Sequence, residues 1–462
     1  MAKSQTTLRD EKHELTRRAL IKWSVAAGAA LGVSRAKIFD ILEKTSGKRT
    51  AFAASENPTT RSVHIIGGNG SQSWFTLFWP QIAIAKANNP AFAWHLPGAA
   101  MDYAGTNNPL VYGKDTPWQT LPGAKQVTAF TAGTNLTHTN SPDANESLNG
   151  SNIISVASAL QSASPSVIPL ITVGNANAGT AAGGAAPSNV GSGDGIVSLF
   201  NSAASRAGGL LSNTKDAGFY KAYYDAFIQL NRASNRSTTK AAYTTASGAA
   251  QFLGTNLSEK LAITPADLTR YGITAGTRAN ITAIARTLIV TAKSFGLGLT
   301  NAVALPYTEE DPHGAFDSGD VKTIPGIMKG MFDAFMGDLA ITPDAVTGQL
   351  LSDDTVITFH GDTPKDCRTA AGWPDGTAGN SNVIYVYSAG HLFSGWFGGI
   401  DVNGKATGFG PDGKPATYVG ADTAKIANAA IAYAIAKRDD RATSTFANGI
   451  TIGGVFGNLK AT

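Results

Sequence analysis

Cysteine is all but missing from this chain, with one, Cys367, in 462 residues. A lone thiol forms no internal disulfide and cannot supply the thiolates of a metal cluster, so stability has to come from packing. Charge is scarce as well. Asp, Glu, Lys and Arg make up 15% of the sequence, against about 25% in an average soluble domain. Long apolar runs are lacking too, and a mean hydropathy of −0.05 gives no polytopic membrane pattern. The hydrophobic share of 43% is nevertheless ample for a core and excludes a disordered chain. The surplus lies in glycine, 51 residues, about 11% where about 7% is usual. Such a weakly charged, small-residue composition is more typical of exported proteins than of cytoplasmic ones. The length allows two or three domains, or one large α/β domain with insertions.

The net charge of +4 is unevenly placed. Residues 1–50 hold eleven Lys/Arg and five Asp/Glu, so the rest of the chain carries 26 basic and 28 acidic residues. A nucleic-acid partner requires basic residues gathered on a folded surface. Here the excess sits in the leader, and that class is set aside. Within the leader, Thr16-Arg17-Arg18-Ala19-Leu20-Ile21-Lys22 precedes Trp23–Val33, eleven small and apolar residues. That stretch suits a signal-peptide core and is too short to span about 30 Å of hydrocarbon as a helix. The pair Arg17 and Arg18 resembles the twin-arginine (Tat) export signal. Ala51-Phe52-Ala53 then offers a small-x-small cleavage site. The expectation is a Tat-type signal and leader over 1–53, export by the Tat translocase, a periplasmic or extracellular location and no permanent membrane span.

Beyond the leader, short apolar runs alternate with helical patterns. Strands are predicted at Val63–Ile66, Val167–Val173, Leu299–Leu305, Thr355–Phe359 and Val383–Tyr387. The clearest helix carries Ile324, Ile327, Met328, Met331, Phe332, Phe335, Met336 and Leu339, with Pro325 set near its start. Others are predicted over Asn152–Leu160, Ala217–Asn231, Arg278–Phe295 and Ala421–Lys437. This alternation points to an α/β fold, a three-layer α/β/α sandwich around a mostly parallel sheet. Gly174–Gly195, with seven Gly and six Ala, reads as a long surface loop or flap. Residues 198–295 hold no good strand and read as an inserted helical cap between core segments 54–197 and 296–462.

In such sheets ligands bind beyond the carboxyl ends of the strands, so the polar residues found there are the candidates. After the first strand come Gly67-Gly68-Asn69-Gly70-Ser71-Gln72-Ser73. The dinucleotide fingerprint fails here for want of its third glycine. Backbone N–H groups at Gly68 and Gly70 could receive an anion, with Asn69 and Ser71 as catalytic candidates, or the segment is a tight turn. Asp311-Pro312-His313 and His360-Gly361-Asp362 each follow a strand. Asp311, His313, His360 and Asp362 would together make an N/O site for a divalent ion such as Zn, Mn or Ca. Alternatively each histidine caps or staples a loop. His391 follows the Val383–Tyr387 strand as a weaker candidate, and His64 lies within an apolar strand. No Gly-x-Ser-x-Gly elbow is present for serine catalysis.

Taken in order, these features resemble one family, the Tat-exported domain of unknown function numbered fifteen hundred and one, distantly related to alkaline phosphatases and sulfatases. The leader, Gly67-Gly68-Asn69 followed by Pro80, Asp311-Pro312-His313, Asp353–Phe359 and Gly398-Gly399 carry the likeness. The chain departs from that pattern at Gly70, at Thr358-Phe359-His360-Gly361-Asp362-Thr363 and at Asn380-Ser381-Asn382, where the family has acidic or histidine ligands. The resemblance implies an alkaline-phosphatase-like core whose metal set is partly lost or rebuilt. The expected function is therefore a degenerate, non-catalytic envelope or extracellular binding or structural protein. The alternative is a metal-dependent hydrolase of phosphate or sulfate esters.

Overall fold

The computed structural model describes residues 59–67, 77–80, 100–101, 109–134, 148–164, 166–200, 252, 256–308, 310–361, 365, 369–374, 381–401 and 405–454. The leader with Arg17 and Arg18, the helix expected over Ala217–Asn231, and Gly68, Asn69, Gly70, Ser71 and Asp362 lie outside them.

In chain order the strands are β1 (Arg61–Ile66), β2 (Ala100–Met101), β3 (Leu110–Val111), β4 (Thr128–Thr134), β5 (Ile168–Val173), β6 (Ser188–Val190), β7 (Thr300–Pro306), β8 (Thr355–His360), β9 (Ser381–Tyr387), β10 (Gly395–Phe397), β11 (Gly399–Ile400), β12 (Ala406–Phe409) and β13 (Pro415–Thr417). The helices are α1 (Ile153–Leu160), α2 (Gly193–Phe200), α3 (Leu257–Leu261), α4 (Pro265–Arg270), α5 (Ala279–Gly296), α6 (Asp320–Ile341), α7 (Leu351–Asp354), α8 (Gly420–Ile435) and α9 (Asp440–Ser444). Two compact units are distinguished. One comprises Met1–Thr50, Pro165–Val167 and Gly195–Ala262; the other comprises Ala51–Ser164, Ile168–Asp194 and Ile263–Thr462. In the first, Asn256 caps α3 by accepting the Glu259 N–H, and Leu257 and Leu261 are buried.

The second unit holds an eight-stranded sheet in the order β10-β4-β9-β8-β1-β7-β5-β6. The pairs from β8 through β6 are parallel, β9 runs antiparallel to both β8 and β4, and β10 is parallel to β4. The sheet is thus mostly parallel, with β9 reversed. Alternation along each strand divides the side chains between two covers. Ile66, Val356, Ala302, Ala304, Ile384 and Val386 share a core with the residues of α1 and α8. On the other face, Phe359 meets Phe332 of α6 edge-on with centroids 5.2 Å apart, and Trp79 and Trp118 pack against Phe359. Helices on both faces make the α/β architecture three-layered. The abundance of small residues has a packing reason here. Helix α8 presents Ala427, Ala430, Ile431 and Ala434 to the core, and at its start a Cβ on Gly420 would lie 2.7 Å from the Gly133 carbonyl oxygen.

Three local expectations read differently in space. Pro325 sits at the sixth residue of α6, beyond the first turn, so the helix forgoes one backbone hydrogen bond there. The Gly/Ala stretch after β5 is tied to α1 rather than standing away as a flap. Ser155 Oγ donates to the carbonyls of Ala178 (2.9 Å) and Gly179 (3.0 Å), and Ala178 is buried. Residues 188–190 of that stretch form the edge strand β6. Helix α5, assigned from sequence to the inserted cap, packs along β7 and α6 in the second unit.

The central strand begins on a buried ion pair. Arg61 donates from Nε to Asp344 Oδ2 at 2.6 Å and from a terminal nitrogen to Oδ1 at 3.0 Å. Its other terminal nitrogen donates to the Thr300 carbonyl at 2.9 Å and to Asn301 Oδ1. Both charged side chains are 2% exposed. Removing one partner of such a pair strands the other in the interior, which costs about 3–5 kcal/mol. Arg61→Met should therefore lower the unfolding free energy by about that amount in urea titrations, and Arg61→Met/Asp344→Leu should recover much of it. A loss under about 1 kcal/mol for Arg61→Met would contradict this account.

Candidate functional site

The carboxyl ends of β1, β7 and β8 meet at one edge of the sheet. Gly67 N donates to the His360 carbonyl at 2.7 Å and Tyr307 N to the Ile66 carbonyl at 2.9 Å, so the three strand exits are stitched together. Asn382, at the start of β9, adds its side-chain amide to the Gly361 carbonyl at 2.8 Å and to the Thr134 carbonyl at 3.3 Å. An aspartate or histidine here could not donate both of these bonds, which gives Asn382 a structural reason.

The loop that leaves β7 is pinned before it presents its functional groups. Arg278 binds Glu310 at 2.9 Å and Asp320 at 2.6 Å, while Asn280 donates to the Thr308 carbonyl and to Glu310, both at 2.6 Å. Asp311 Oδ1 then accepts the His313 N–H at 3.2 Å in a local turn. Against this turn lies Lys365, whose side chain is 0% exposed although Asp311 and His313 are 43% and 44% exposed. Its Nζ is 3.4 Å from Asp311 Oδ1 and 3.1 Å from His313 Nε2. His313 Nδ1 is 2.9 Å from the Gly372 carbonyl. A carbonyl only accepts and an ammonium only donates, so the pattern assigns the proton to Nδ1 and aims the Nε2 lone pair at Lys365. Both ring nitrogens of His313 are engaged.

His360 lives in a different environment. It is fully buried at the end of β8, on the same face as His64 of β1, with ring centroids 6.0 Å apart. A polar chain runs between them. Gln161 Nε2 donates to the Thr60 carbonyl at 2.7 Å and to Ser62 Oγ at 3.1 Å. Ser62 Oγ is 3.1 Å from His64 Nε2, His64 Nδ1 is 2.8 Å from Thr358 Oγ1, and Thr358 Oγ1 is 2.7 Å from His360 Nε2. The Thr60 carbonyl fixes the orientation of the Gln161 amide, and each hydroxyl beyond it can donate one bond and accept two, so the chain accommodates either tautomer of the two imidazoles. Among the described residues His360 Nδ1 has no partner, a cost of about 1–3 kcal/mol for a buried polar atom.

The four ligands expected from the sequence therefore divide. Asp311 and His313 share a half-exposed loop with Lys365, His360 is sealed among hydroxyls, and Asp362 lies outside the described residues. No group of three His, Cys, Asp or Glu side chains able to hold an ion occurs among the described residues. With Lys365 against Asp311 and His313, and His360 enclosed beside Thr358, the described members of that set are held by protein partners. Lys365 was not singled out from the sequence. The signal lay in its position, five residues past the end of β8, but burial of a lysine is a tertiary fact.

No helix among the described residues is long and apolar enough to cross a membrane. Comparison with family models, with curated proteins and with solved structures finds no match to this chain.

Burial holds both core histidines neutral. The pKa of His360 falls to about 3, and that of His64 is pushed well below its ordinary value by burial and by His360. Unfolded histidines protonate near 6.5, so below that pH the unfolded chain binds more protons than the native one. The stability these groups contribute is present above about pH 6.5 and is lost as pH falls toward their native values, by up to about 1.4 kcal/mol per pH unit for each. The Cε1–H resonances of His64 and His360, assigned with the His64→Gln and His360→Gln variants, should keep their neutral positions down to about pH 5. Titration of either near pH 6.5 in the native protein would refute their neutral burial.

Proposed function

We propose that this chain is an exported, non-catalytic member of the alkaline-phosphatase-like α/β proteins that acts in the cell envelope or outside the cell by binding rather than by turnover. One observation carries this reading. The buried ammonium of Lys365 lies against Asp311 and His313, where a metal-dependent hydrolase would need a cation bound by the same two side chains. A fixed Lys⁺ can satisfy the charge of Asp311, but it cannot lower the pKa of a bound water or polarise an ester as a metal does. The enclosure of His360, whose Nε2 lies 2.7 Å from the Thr358 hydroxyl, supports the same conclusion. The mostly parallel sheet, with the exits of β1, β7 and β8 at one edge, agrees with the alkaline-phosphatase-like frame that the sequence resembles. Arg17 and Arg18 support passage through the Tat translocase.

The test combines elemental analysis with turnover. Protein purified from the exported fraction should contain well under one Zn, Mn or Ca per chain. It should hydrolyse p-nitrophenyl phosphate and p-nitrophenyl sulfate no faster than buffer, with or without those ions added. About one metal per chain that disappears in the His313→Ala/His360→Ala variant, together with ester hydrolysis, would establish the hydrolase instead. Replacing Arg17 and Arg18 by lysine should leave the protein inside the cytoplasmic membrane. Unchanged export of that variant would remove the Tat assignment.

A further inference from the structure

We propose that the Asn448–Gly449 bond is a site of spontaneous covalent modification, where the chain closes a succinimide and reopens it to isoaspartate. Two asparagine–glycine turns meet at this surface. In the first, Asn149 and Gly150 have φ of 53° and 81°, and Ser151 N donates to the Leu148 carbonyl at 3.0 Å. In the second, Ile450 N donates to the Ala447 carbonyl at 2.9 Å across Asn448 and Gly449, and Gly449 has φ of 80°. Positive φ at the third residue marks a type II turn, which favours glycine there. All four turn residues are exposed. Glycine after asparagine matters chemically as well, because it has no Cβ to obstruct its nitrogen as that nitrogen turns toward the asparagine side chain. The other two asparagine–glycine pairs, at 69–70 and 403–404, lie outside the described residues.

The two asparagines differ in what holds their carboxamides. Asn149 Nδ2 donates to the Phe446 carbonyl at 2.9 Å, with a longer contact of 3.4 Å to the Asn448 carbonyl. The Asn448 carboxamide makes no hydrogen bond among the described residues. A Cβ built on Gly449 would meet nothing within 4 Å, so this turn can swing its amide nitrogen onto the side chain without displacing a neighbour. In the reaction a base takes the Gly449 N–H proton and the nitrogen attacks Asn448 Cγ. A Cγ–N bond forms, the bond from Cγ to Nδ2 breaks, and ammonia leaves with a proton taken from solvent. Water then adds to one of the two ring carbonyls. Opening at the backbone carbonyl gives isoaspartate, whose main chain runs through Cγ and is longer by one methylene; opening at Cγ gives aspartate. Either product puts a carboxylate where a neutral amide stood. Isoaspartate also removes the main-chain carbonyl that Asn149 contacts, so the first conversion loosens the second carboxamide. The order of conversion is Asn448, then Asn149, and the surface records the age of the folded molecule.

The experiment is a peptide map of the full-length protein, taken at intervals during incubation at about pH 8, where base removes the amide proton more readily than at neutral pH. The peptide holding Asn448 should lose the mass of one ammonia and then gain that of one water, and an isoaspartate-specific methyltransferase should label it. Conversion at Asn149 should lag at least about tenfold, since its hydrogen bonds must break before the ring can close. In Asn448→Gln the longer side chain disfavours the five-membered ring. The label at that position should vanish in this variant, and Asn149 should stay slow throughout. Unfolding in urea releases both carboxamides and should bring the two sites to comparable rates. Conversion of Asn149 before Asn448 in the native protein, or at an equal rate, would overturn the proposal. So would a native chain that leaves Asn448 intact while the unfolded chain reacts at both sites.

Discussion

The guanidinium of Arg61 is the point on which the sheet is assembled. It sits at the first residue of the central strand and is fully enclosed, so each of its donors needs an acceptor. Asp344 supplies two, and its carboxylate also receives the Val346 N–H at 2.6 Å, which shapes the turn between α6 and β8. The Thr300 carbonyl and Asn301 supply the rest from the start of β7. One cation therefore fixes where β1 begins relative to β7 and to the segment that follows α6. Such a pair is weak evidence of net stabilisation, since desolvation consumes much of the Coulombic gain. Its value lies in register. A slip by one residue would bring Val63 and Ile65 to the polar face and strand Arg61 without its acceptors.

Once register is set, the other polar interior follows. Ser62 and His64 alternate with Arg61, Val63 and Ile65, and so fall on the opposite face, beside Thr358 and His360 of the parallel partner. A line of alternating hydroxyl and imidazole groups then crosses the core from the Gln161 amide to His360.

Much of the scaffold was legible because strands buried on both faces are written as apolar, largely β-branched runs. The apolar runs at 63–66, 167–173, 299–305, 355–359 and 383–387 became β1, β5, β7, β8 and β9 within a residue or two. Strand β4, Thr-Ala-Phe-Thr-Ala-Gly-Thr, was missed because its small residues carry no period of their own. Its position follows from pairing with β9 and from the cover of α8, neither of which is local. The candidate edge was legible only in part. Rules for strand exits found Asp311, His313 and His360, but burial and tautomer are set by neighbours distant in sequence. Lys365 was invisible for the same reason, as was the strain at Ala389, Lys437 and Arg438, because none of those residues is a turn-former.

The two edges of the sheet hold their charges by different means. At the carboxyl edge a lysine is drawn inside against a half-exposed carboxylate and imidazole. At the amino edge Lys125 and Lys437 pair with Asp353 and Asp354, and an Arg438 nitrogen fastens two left-handed turns together through the Gly390 carbonyl. In both places the fold itself supplies the groups that hold a cation, so the closing of the loops and the accommodation of charge are achieved together.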